Sequence, residues 1–188
     1  MNSPLQKSLL FKFLSKCLAY PNEAFLPALV EVSDEIEAGK DERQALIRAF
    51  ELEEQEPLQA EYTRLFINGY PHTVCPPYEA IYCEKRMHGE STVAVSAAYQ
   101  EWEMTVDPGL IDHLSTELEF LAFLASAESL ENAVATDARK AAERFTREHL
   151  CRWLPQFIEE LKGGAKMECY RKLGELMERE LGGYCGER

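Results

Sequence analysis

The sequence is poor in the features that define most membrane proteins and most enzymes. Its 188 residues contain no apolar run approaching the ~18 residues that a membrane span needs. The opening stretch MNSPLQKSLLFKFLSK alternates apolar residues with Lys7, Lys12 and Lys16 and has no small-residue cleavage site. It does not read as a signal peptide, so a cytoplasmic protein is expected. There is no GxSxG, no phosphate-binding GxxxxGK[ST], no HExxH and no dinucleotide glycine fingerprint. Catalysis therefore has no motif with a mechanism behind it. Positive charge is scarce: 20 Lys and Arg stand against 33 Asp and Glu, a formal net charge of −13. Phosphate binding requires clustered cations, so neither nucleic acid nor an anionic membrane is an expected partner, and without an apolar span stable membrane insertion is not expected either. The favoured partner is a basic peptide or protein. The plainer reading is that acidic helix faces keep the chain soluble.

There are six cysteines, Cys17, Cys75, Cys83, Cys151, Cys169 and Cys185, and no CxxC pair. Scattered through helical patterns, they do not resemble the disulfide framework of a small secreted domain, and reduced thiols are expected. Strand-like alternation, long linkers, repeats and low-complexity stretches are also missing.

Helical periodicity is plentiful. Ser3 and Pro4 form a cap and first-turn proline ahead of Leu5, Leu9, Leu10, Phe13, Leu14, Cys17 and Leu18. A second helix carries Phe25, Leu29 and Val30 to a stop at Gly39, with Pro27 marking a first turn or a kink. Asp41 is placed to cap a third, burying Leu46 and Phe50. Pro57 opens a fourth, through Tyr62, Leu65 and Phe66 to Asn68-Gly69. Helicity resumes near Ser91, and Asp107-Pro108-Gly109 forms a turn. Asp112 is placed to cap DHLSTELEFLAFLASAESL, apolar nearly all round and so central in a bundle. A long helix follows from about Thr136 to Lys162, kinked at Pro155, and then a last amphipathic one. The expectation is one all-α domain, residues 1–188, a bundle of roughly eight helices.

One segment resists this pattern: VCPPYEAIYCEKRMHG, residues 74–89, where Pro76-Pro77 forbids a helix. Three chemistries are open to it. His72, Cys75, Cys83 and His88 offer H-x2-C-x7-C-x4-H, four zinc-ligand types at an uncommon spacing, which would make the protein a zinc-stabilised helical adaptor. A cysteine with His72 or His113 as base would make a nucleophile, though nothing in the spacing supports it. Tyr78 and Tyr82 on a proline-stiffened loop, with Glu79 between them, would make a peptide rim. There a carboxylate suits an arginine through paired hydrogen bonds. Beyond it, Asp112 is expected as a helix cap. His113 is expected as the first helical residue, with its charged form disfavoured by the helix dipole, and Glu117 lies one turn on.

At these residues the sequence resembles the TorD/DmsD/NarJ-type family of redox-enzyme maturation chaperones, most closely its TorD/DmsD-like branch. Four blocks occur in order: EYTRLFING, CPPYEAIY, DHLSTELEFLAFLA and FTREHLCRWLPQF, spanning residues 61 to 157. The resemblance implies an all-α, cytoplasmic, non-enzymatic protein without a cofactor of its own. It implies two partners, the twin-arginine signal peptide and the immature catalytic subunit of a molybdopterin-containing oxidoreductase, held from Tat export until the cofactor is inserted. It implicates Pro77, Tyr78 and Tyr82 in the loop, with Glu79 inside the matched block and Asp112 and His113 across from them. A monomer is expected, with a helix-swapped dimer as the alternative.

Overall fold

The computed structural model describes residues 3–130 and 133–186. Among them every regular element is a helix, and the lone β-type pairing is an isolated antiparallel bridge between Tyr78 and His113. In chain order the α-helices are α1 Pro4–Cys17, α2 Phe25–Asp34, α3 Lys40–Glu51, α4 Gln55–Tyr62 and α5 Glu79–Glu84. They continue as α6 Glu90–Gln100, α7 Leu114–Glu128, α8 Ala133–Phe145, α9 Cys151–Gly164 and α10 Glu168–Cys185. Two π-helical stretches, Thr63–Ile67 and Thr146–Leu150, follow α4 and α8 without a break. No helix is long and apolar enough to cross a membrane among the described residues. The chain contacts divide into two compact units, Met1–Ser15 with Tyr78–Leu154, and Lys16–Pro77 with Pro155–Arg188.

The first unit is built around α7. Leu114, Leu118, Phe120, Leu121, Leu124 and Ala125 are all buried, so the helix that is apolar nearly all round is indeed a central one. Its main neighbour is α8. Tyr99, Phe120 and Phe145 form a ring cluster with centroids 4.9 and 5.0 Å apart in the two edge-on pairs. Each such pair contributes about 0.5–1.5 kcal/mol beyond its buried area. At the start of α1, Ser3 Oγ accepts from Gln6 N at 3.3 Å, the cap that Ser-Pro implied. Further along α1, Ser8 Oγ donates to the Ala122 carbonyl at 2.7 Å, tying α1 to α7.

In the second unit α3 packs on α2 and α10. Phe25, Phe50, Tyr170 and Phe66 make a chain of edge-on rings. Pro27 is the third residue of α2, where a missing N–H costs nothing because the first-turn donors have no helical partner. The cap of α3 is Gly39 in the left-handed region (φ 68°), not Asp41, which lies inside the first turn. The buried Arg43 lies against the turn between α2 and α3. Its guanidinium donates to the carbonyls of Ser33, at the end of α2, and of Ile36 and Ala38, in the turn that follows.

The late helix differs from a single kinked rod. Pro155 does sit inside α9, where it has no backbone N–H of its own to give to the helix. Upstream, the α register is already interrupted by the π stretch Thr146–Leu150, which turns His149 and Leu150 inward. The uniform expectation of reduced thiols also fails. Cys151 and Cys185 are disulfide-bonded, whereas Cys17, Cys75, Cys83 and Cys169 are free.

Candidate functional site

The segment around Pro76-Pro77 is not a plain loop. Tyr78 is extended (φ −130°, ψ 127°) and serves as the N-cap position of the short helix α5. That helix start is satisfied from a distance. Asp112 accepts from Glu79 N through its carbonyl at 3.0 Å and from Ala80 N through Oδ2 at 2.9 Å. Asp112 therefore caps α5, not the helix that follows it in sequence. The cap of α7 is His113, extended at φ −80°, ψ 137°, whose Nδ1 accepts from Ser115 N at 3.1 Å. Both corrections have one cause. Asp112 is one residue too early for α7, and the bridge between Tyr78 and His113 brings it to the orphan donors of α5 instead. Tyr99 fixes the approach by donating its hydroxyl to the Ile111 carbonyl at 3.0 Å.

The first compact unit thus gathers Tyr78, Glu79, Tyr82, Asp112, His113 and Glu117 into one place. Pro77, buried, is the last residue of the other unit before Tyr78. The two tyrosines have different surroundings. Tyr78 is half-buried, its ring edge-on to His113 at 4.9 Å. Tyr82 is buried against the Trp153 indole, ring centres 5.2 Å apart. Glu79 is fully buried and already engaged. His149 Nδ1 lies 3.0 Å from its Oε2, and Arg152 Nη1 lies 3.4 Å from its Oε1.

Behind this pair lies Glu117, with 0% of its surface exposed and neither carboxylate oxygen within ordinary hydrogen-bond geometry of any donor. Burial pushes its carboxyl well above the usual carboxylate range, and the charges of Glu79 and Asp112 push it further. The Trp153 indole acts weakly in the opposite sense. A protonated, neutral Glu117 is what three convergent acids require. Burial likewise lowers His113 to about 4, so its neutral imidazole is available as a cap acceptor. Burial first, and then Asp112 and Asp107, raise the Tyr78 phenol.

Sequence reasoning missed His149, Arg152 and Trp153. They stand at i, i+3 and i+4 in EHLCRW, polar or amphipathic residues within an apolar helical pattern, and that was the available signal. The zinc constellation does not form. Cys75 is fully buried, His72 and His88 are exposed, and among the described residues no group of three or more His, Cys, Asp or Glu could hold a metal ion. Burial also pushes the Cys75 thiol far above its ordinary range, the opposite of an activated nucleophile.

Over residues 29–159 the chain matches the family described as nitrate reductase delta subunit. It is 43% identical over 72 residues to the selenate reductase assembly chaperone protein of Thauera selenatis, an overlap of 36% of this chain and 37% of that one. It is 32% identical over 134 residues to the chlorate reductase assembly chaperone protein of Ideonella dechloratans, covering 66% and 68% of the two chains. The match thus spans just over a third of the first relative and about two thirds of the second. A crystal structure described as a redox enzyme maturation protein from Archaeoglobus fulgidus has the same fold. The TM-score is 0.54 at 24% identity, covering 74% of this chain and 94% of that one. The chain belongs to the nitrate reductase delta subunit family, the TorD/DmsD/NarJ-type group of redox-enzyme maturation chaperones.

Proposed function

We propose that this protein is a cytoplasmic, non-catalytic assembly chaperone of a molybdopterin-containing reductase. Its relatives are named for selenate and chlorate reductases and its family for nitrate reductase, so the client is read as an oxyanion reductase. It binds the twin-arginine signal peptide of the immature catalytic subunit and holds that subunit from Tat export until its cofactor is in place. On this reading the chain acts as one domain. It works as a monomer.

The observation that carries this reading is the cluster itself. A half-buried Tyr78, its ring edge-on to the buried His113, stands before three acidic side chains, Glu79, Asp112 and Glu117. The aromatic rim suits the apolar segment of a peptide, and the acids suit its guanidinium groups. Pro77 and Tyr82 hold the rim in place, with Tyr82 packed on Trp153. Charge contacts would set orientation and on-rate while apolar contact supplies most of the affinity. The test is calorimetric titration with the twin-arginine peptide of a neighbouring reductase gene. Saturable binding supports the reading, and failure to bind any such peptide or the immature enzyme overturns it.

A further inference from the structure

The acids of this cluster are unequally matched. Asp112 is taken up by the backbone of α5. Glu79 is held firmly at one end by His149, but at Oε1 it meets a single Arg152 nitrogen at 3.4 Å. A well-made pair in the same protein looks different: Arg64 grips Glu61 through two bonds, both 2.8 Å. Glu117, wholly buried, has no partner of ordinary geometry at either oxygen. Among the described residues the one permanent cation paired with these acids is Arg152, which is loosely attached to Glu79 and 51% exposed. An unpartnered, fully buried acid beside a long, half-exposed ion pair is an arrangement left incomplete in the free protein.

We propose that Arg152 is a resident, exchangeable cation that occupies the place of a ligand guanidinium. In the free protein it covers the Oε1 side of Glu79. On binding, an arginine of the peptide takes its place, and the displaced Arg152 side chain swings into solvent. With Oε2 of Glu79 already taken by His149, a single point charge would find one acceptor. A planar guanidinium fork can donate both to Glu79 Oε1 and to the carbonyl oxygen of the neutral Glu117 carboxyl, which is why the site selects arginine over lysine. Arg152 thus weakens binding while it excludes weaker cations, a built-in competitor. This rests on the reading of the chain as a receptor for an arginine-bearing peptide.

The test compares wild type with Arg152→Ala and Arg152→Gln, each first shown to melt cooperatively. Titration with the twin-arginine peptide should give about three- to fivefold tighter binding in both variants, the scale of one partly exposed ion pair. The gain should be smaller with a twin-lysine version. Unchanged or weaker binding of the twin-arginine peptide overturns the proposal. A second titration uses N-acetyl-arginine amide, followed by tryptophan fluorescence, and needs no signal peptide. If neither form binds the peptide, the functional reading falls. Tighter arginine-amide binding in the variants then still supports exchange, and equal or absent binding overturns it.

Discussion

Replacing Glu117 with glutamine should change the way stability responds to pH. In the folded protein the Glu117 carboxyl titrates well above its ordinary value of 4.5, through burial first and then through Glu79 and Asp112. The folded state keeps a proton that the unfolded chain has already released. Stability from that proton is complete below 4.5 and is lost as pH rises through the raised folded value. Within that window the slope is about 1.4 kcal/mol per pH unit. For a chain of this size, 1 kcal/mol shifts the melting temperature by about 2–4 °C. Wild type should therefore lose about 3–6 °C per pH unit relative to Glu117→Gln, which is isosteric and has no proton to lose. At the acid end, where both side chains are neutral, the two should converge. Thermal melts followed by circular dichroism at half-unit steps from pH 5 to 8.5 measure this directly. Parallel profiles across the range would refute the claim that this carboxyl is held neutral by burial and by its acidic neighbours.

Acid should act through His113 in the opposite sense. Its folded pKa of about 4 lies below the ordinary 6.5, so stability falls as pH drops between those values, by about 3 kcal/mol in all. His113→Asn keeps a cap acceptor and should flatten that limb of the melting profile, whereas His113→Ala should cost about 1 kcal/mol at neutral pH. The two tyrosines should separate cleanly. Tyr82→Ala, emptying a buried place beside Trp153, should cost about 3 kcal/mol in chemical denaturation. Tyr78→Ala should melt close to wild type while weakening the signal peptide about fivefold or more in calorimetry. Arg43→Ala should cost about 2–4 kcal/mol, because the Ile36 and Ala38 carbonyls after α2 lose the guanidinium as donor, and urea denaturation checks it.

The helices were legible because burial imposes a period, and α7 shows this best: its near-continuous apolar residues announced a central helix. Caps were legible where donor and acceptor are neighbours in sequence, as with Ser3 and Pro4, and misleading where they are not. Asp112 looks like the start of its own helix, yet its carboxylate serves Ala80, 32 residues earlier. No local rule weighs two helix ends against each other. The π stretches were invisible for the same reason, since their register is set by what must face inward. The acid side of the site could be read from the loop and from DHLSTE. Its counter-ions could not, because His149 and Arg152 lie 70 and 73 residues beyond Glu79.

The π stretch at Thr146–Leu150 gives the late helix something like a reading frame. A π turn holds one residue more than the α turn it replaces. Straightening those residues into α register with none removed would rotate all that follows by about 100° relative to α8. Arg152 and Trp153 would keep their identities and still leave Glu79 and Glu117. Removing one residue as the π turn becomes an α turn would instead keep every later side chain on its present face. In an alignment of relatives, a one-residue gap at this point would thus mark the same face toward the acid cluster, whereas an ungapped match without the π turn would mark a late helix that shows the cluster a different face, however well its letters agree.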